Sequence, residues 1–113
     1  MFTNNNFTEQ YLEEDMSNVV LINPFEVPKG KEDEALQMWK RAADFLRRQP
    51  GFISTKLHKT IEPNARFHLV NIAEWETVAH FQSAINNIEF QKIIAGTMEA
   101  YPHYPNFYQV IET

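Results

Sequence analysis

The chain has 113 residues, enough for one domain and too few for a second independent core. It has no cysteine, which excludes disulfides, zinc–thiolate sites and a thiol nucleophile, and which suits a reducing, cytoplasmic setting. The net charge is −5 with the basic residues scattered, which argues against a nucleic-acid phosphate backbone as the partner.

Residues 1–17 are polar and lack an apolar period. They carry Glu9, Glu13, Glu14 and Asp15 with no basic residue, so they read as a flexible extension and not as a signal peptide. The folded domain is expected over 18–113, and no run in it approaches the roughly 18 apolar residues of a membrane span. Val19 to Val27 is the first strand. Its run Val19-Val20-Leu21-Ile22 is continuously apolar, so both faces are expected to be covered. Pro24 lacks an N–H and predicts an unpaired side or a bulge.

Lys31 to Gln49 predicts a helix. Ala35, Trp39, Ala42 and Leu46 form an apolar stripe that Leu36, Met38, Ala43 and Phe45 widen. Glu32, Asp33 and Glu34 sit in the first turn and Arg47 and Arg48 in the last, the charge order a helix dipole favours. Pro50-Gly51 stops the helix. Phe52 to Ile61 is a second strand with imperfect alternation, and Arg66 to Trp75 a third, joined to it as a hairpin through Glu62-Pro63-Asn64-Ala65. The turn centre suggests pairing sums near 126, with His58 opposite His68.

Thr77 caps a short helix through Val78, Phe81 and Ile85. Asn86 with Glu89 resembles a capping box for another, carrying Phe90, Ile93, Ile94 and Met98. Tyr101 to Pro105 is a loop stiffened by two prolines, and Asn106 to Glu112 is the last strand. The order β-α-β-β-α-β, with the second helix broken, is that of an α+β ferredoxin-like fold: a four-stranded antiparallel sheet with helices on one face. Phe52, Phe67, Leu69 and Trp75 are read as the bare face. Such rings favour being covered, and a second copy of the domain is the expected cover.

The ordered set Val19-Val-Leu-Ile-Asn-Pro-Phe-Glu-Val27, Pro28-Lys-Gly30, Pro50-Gly-Phe52, Asn71-Ile-Ala-Glu-Trp75 and Glu89-Phe-Gln91 resembles the antibiotic biosynthesis monooxygenase family of dimeric α/β barrels. The resemblance implies a homodimer paired sheet face to sheet face, with a pocket between each sheet and its helices. It implies oxidation of a phenol or quinol by molecular oxygen with no metal or flavin. It also implies roles for an asparagine on the first strand and a tryptophan closing the third, here Asn23 and Trp75. One branch of the family degrades haem through a histidine on the last helix. That position is Ile94 here, and isoleucine cannot ligate iron.

Cofactorless oxygenation asks a site to hold an electron-rich ring, to hydrogen-bond its oxygen and to exclude water. Asn23 can donate to a developing oxyanion, and Trp75 can stack on a ring or donate its indole N–H. Phe25 and Phe67 are candidate apolar walls, with Phe52 a further substrate contact. Asn71 shares a strand face with Trp75 and needs a polar partner there. His58 is a candidate base for a phenolic proton. Plainer readings stay open: Asn23 satisfying a backbone group freed by Pro24, and Trp75 as core or dimer interface. The histidines show no metal-site spacing, and His80 and His103 read as surface or loop residues. A non-catalytic dimeric binding or stress-response domain is the competing function.

Overall fold

A computed structural model of the chain describes residues 18–96 and 100–113. Its elements are β1 (Val19–Phe25), α1 (Glu32–Leu46), β2 (Phe52–Lys59), β3 (Leu69–Trp75), α2 (Val78–Ile85), α3 (Ile88–Ile94) and β4 (Asn106–Tyr108). The strands form one antiparallel sheet in the order β2-β3-β1-β4. This is the ferredoxin-like arrangement, with β1 and β3 as the central pair. Among the described residues no helix is long and apolar enough to cross a membrane. The extension expected over 1–17, and Met98 in the expected last helix, lie outside the described residues.

Local chemistry sets the helix ends. Glu32 Oε1 accepts from the Gly30 N–H at 2.9 Å in front of α1, whose acidic first turn complements the dipole. Gly51 follows α1 at φ 85°, and a Cβ there would collide with the His80 ring, so only glycine fits. Thr77 Oγ1 accepts from the His80 N–H at 3.0 Å and caps α2. The α3 cap is Asn87, not Asn86: its Oδ1 accepts from the Glu89 N–H at 2.7 Å, while Asn86 closes α2.

The register decides which side chains meet the helices. Val19 pairs with Trp75, Leu21 with Ala73, Asn23 with Asn71 and Phe25 with Leu69. All of these except the partly buried Asn71 are at least about nine-tenths buried, and they face α1 to α3. Against them α1 buries Ala35, Met38, Ala42, Ala43 and Phe45. Full burial of a side chain such as Phe45 or Met38 contributes about 1.5–3 kcal/mol.

Several expectations change here. Leu69 and Trp75 belong to the helix-side core and not to the bare face, because their pairing partners on β1 are its buried residues. The helix-free face carries Val20, Ile22, Val70 and Ile72, with Tyr108 opposite Val20. So β1 is not covered on both sides; its burial alternates. The irregular pattern of β2 comes from a bulge between Phe52 and Ser54, which puts Phe52, Thr55 and Leu57 on one face and leaves Ile53 exposed. The hairpin register runs two residues beyond the expected sum, so His58 pairs with Val70. β3 begins at Leu69, α1 ends at Leu46 before Arg47 and Arg48, and β4 is only three residues long. Pro24 fits because β4 has ended at its level: its carbonyl accepts from the Tyr104 N–H at 3.1 Å, in a loop and not in a ladder.

Candidate active site

Two asparagines lie side by side in the middle of the sheet. Asn23 and Asn71 are cross-strand partners on the helix-side face. They interrupt the apolar packing between one core cluster around Val19, Leu21 and Trp75 and another around Phe25, Leu69 and Tyr101. Across from them α1 presents Ala42 and Ala43 where larger residues would fill the gap. The result is a cavity of about 180 Å³ between sheet and helices.

Its polar groups are few and unequal. Asn23 is 9% exposed, and its Oδ1 has no hydrogen-bond partner among the described residues. A buried amide oxygen left so costs about 1–3 kcal/mol. Asn71 is oriented differently. Thr55 Oγ1 donates to its Oδ1 at 2.6 Å, which leaves the Asn71 NH₂ as a donor.

The walls are aromatic and aliphatic. Trp75 is 1% exposed and is held edge-on between Phe52 and Phe81, with ring centroids 5.4 and 5.5 Å away. It lies four residues from Asn71, about 13 Å along the strand, so indole and amides mark opposite ends of the cavity. Trp39, Phe90 and Ile94 line the helix side. Phe25 lines the amide end and stacks on His103, with centroids 5.4 Å apart and planes 28° apart.

Of the residues singled out in the sequence, Asn23, Phe25, Phe52, Asn71 and Trp75 line this one cavity; His58 and Phe67 do not. His58 is exposed, with Nδ1 3.3 Å from the Val70 carbonyl. Phe67 packs edge-on against Tyr104 and beneath the Arg66 guanidinium. Thr55 and His103 are additions. His103 was read as a loop residue, yet it pairs with Phe25 beyond the end of β4 and lines the cavity. The available signal was parity: 103, 105 and 107 share the face of Phe107, which pairs with Leu21.

The loop carrying His103 is tied to α1. The buried Tyr101 hydroxyl donates to Glu34 Oε2 at 2.6 Å. Burial, and then this bond, push the Tyr101 hydroxyl up to about 12. The same bond, helped by Lys31, holds the Glu34 carboxyl below its ordinary value. At the loop's outer side Glu26 accepts from the Arg66 guanidinium at 2.6 Å and holds its pKa above the ordinary value. Among the described residues no group of three or more histidines and carboxylates could hold a metal ion.

The chain is thus a ferredoxin-like domain with an amide-and-aromatic cavity between its sheet and its helices. The model of the antibiotic biosynthesis monooxygenase family matches residues 18–96. The chain belongs to that family. It is similar to a candidate monooxygenase of Shewanella loihica PV-4, at 35% identity and TM-score 0.74 over 86% of this chain and 97% of that one. It is also similar to SnoaB, a cofactor-independent oxygenase from Streptomyces nogalater, at 28% identity and TM-score 0.73 over 85% and 95% of the two chains. No curated protein matches the sequence.

Proposed function

We propose that this protein is a cofactor-independent oxygenase of a small electron-rich aromatic, a phenol or quinol, acting as a homodimer. The observation that carries the reading is the unpartnered, buried Asn23 amide at one end of an otherwise apolar, ring-lined cavity. A buried acceptor without a partner is what a ligand's hydroxyl would satisfy by donating to it, while the NH₂ of the same amide can donate to an oxyanion. Similarity to SnoaB supports the oxygen chemistry. The cavity sets the size. At about 180 Å³ it is near the roughly 150 Å³ that holds benzene and below the 300–1,000 Å³ of ordinary drug-sized ligand sites. One ring with substituents, or two fused rings, suits it.

In this reading Asn23 and Asn71 hydrogen-bond the substrate oxygen, Trp75 and Phe52 close the far end, and Phe25 forms the near wall. Once ionised, the ring gives one electron to O₂. The resulting pair combines at a ring carbon, and loss of water leaves a quinone: one C–H and one O–H are consumed with O₂ to give C=O groups and H₂O. The apolar walls keep bulk water from quenching the intermediate. A haem reading finds no support, since Ile94 lines the cavity where a ligand would be needed, and the space is small for a macrocycle. Lack of cysteine suits a cytoplasmic location.

Oxygen uptake with a panel of hydroquinones and dihydroxynaphthalenes tests the reading. Saturable uptake with quinone formation supports it. Tight binding of the same compounds without uptake would favour a non-catalytic binding domain.

A further inference from the structure

His103 has the geometry of a base, and nothing else lining the cavity does. Its Nδ1 is 2.7 Å from the Tyr101 carbonyl oxygen. A carbonyl only accepts, so Nδ1 carries the proton and the ring is the Nδ1–H tautomer. That leaves Nε2 with its lone pair, and it has no hydrogen-bond partner among the described residues. The ring cannot swing freely. It is stacked on Phe25, and its carbonyl anchor belongs to Tyr101, which Glu34 ties to α1. His103 shares the cavity with the unpartnered Asn23 oxygen and the Asn71 NH₂.

We propose that His103 Nε2 is the proton acceptor of this site, taking the hydroxyl proton of a phenol or enol held by Asn23 and Asn71. The inference rests on the oxygenase reading for the fate of the anion, but not for the proton transfer. The substrate O–H bond breaks, an Nε2–H bond forms, and the electron pair stays on the substrate oxygen. Imidazolium and oxyanion then lie together in a low-dielectric space, where their attraction is strong. The Asn71 NH₂ donates to the oxyanion. The anion, and not the neutral phenol, is the electron donor to O₂.

The test separates the two claims. 2-Naphthol is titrated without oxygen into the wild-type protein and into His103→Gln at pH 7, and its neutral and anionic absorption bands are read. The wild type is expected to bind it largely as the naphtholate. His103→Gln is expected to bind within about threefold of the wild-type Kd, with the bound anion lowered roughly tenfold, one pKa unit. Naphtholate persisting in His103→Gln, or neutral naphthol bound to the wild type, would overturn the proposal. Failure of the wild type to bind would overturn both the proposal and the small-aromatic site. Oxygen is then admitted with a dihydroxynaphthalene that shows the same bound anion. Anion without oxygen uptake would leave the base in place and sink the oxygenase alone. Where turnover occurs, His103→Ala should lose about 10²-fold and regain part of it with added imidazole. Matching near-ultraviolet circular dichroism establishes that each variant is folded.

Discussion

Asn23 and Thr55 are two residues whose duties the structure separates. Asn23 carries an acceptor that has no partner among the described residues, so Asn23→Ala should leave the melting temperature within a few degrees of wild type. The NH₂ of the same amide is the group that would donate to a substrate oxyanion, so turnover should still fall about 10²-fold, the usual effect of losing one oxyanion donor. A structural asparagine would behave the other way, losing about 1–3 kcal/mol of stability with activity retained. Thr55→Val removes the hydroxyl that fixes Asn71. It should cost about 1 kcal/mol and weaken binding of a phenol, as read by calorimetry, because the Asn71 amide is then free to turn over. Asn23 and Trp75 were legible through the family resemblance, and Asn71 because it shares a strand face with Trp75. Thr55 was not, because it looked like a flaw in the alternation of β2, and the bulge that reconciles the pattern is set by pairing with β3.

At the level of elements, one of the ties that hold the segment before β4 is controlled by charge, the bond from Tyr101 to Glu34 on α1. Tyr101→Phe deletes the bond to Glu34 and should cost about 1.5 kcal/mol, the lower end for a bond to a charged group because Glu34 itself stays hydrated. For a chain of this size that lowers the melting temperature by roughly 4–8 °C. The pH dependence has a definite sign at each end. Tyr101 binds its proton more tightly folded than unfolded, its pKa rising from 10.0 to about 12, so its contribution is present below pH 10 and is lost as pH climbs toward 12. Glu34 is shifted down, so its share is present above its ordinary range, near 4.5, and is lost as pH falls below it. Chemical denaturation across pH should show the alkaline loss only in the wild type, and a smaller acid loss in Tyr101→Phe, where Lys31 alone still lowers Glu34. Element order was readable from periodicity and caps. The side of the sheet on which the helices pack was not, because β3 carries apolar residues on both parities, Leu69, Ala73 and Trp75 against Val70 and Ile72. His103 was hard to place for a related reason: it lies among prolines, and its parity with Phe107 gains meaning only once Phe107 is paired with Leu21 and His103 with Phe25.

For the whole molecule, the helix-free face is the surface a partner copy would cover. Ile72 and Tyr108 on it are 38% and 48% exposed, beside Val20 and Ile22. Ile72→Lys should therefore halve the mass seen in sedimentation at micromolar concentration, with the cavity on the opposite face intact. A wild type that sediments as a monomer would remove the dimer from the account. The central claim is that the amide-and-aromatic cavity performs oxygen chemistry on a small ring, and its most direct measurement is oxygen consumption by purified protein shown to be free of flavin, haem and metal. With a dihydroxynaphthalene as substrate, uptake should saturate, match quinone formation one to one, and fall about 10²-fold in folded Asn23→Ala. Uptake no faster than spontaneous oxidation across a panel of one- and two-ring phenols, or an undiminished rate in Asn23→Ala, would contradict it.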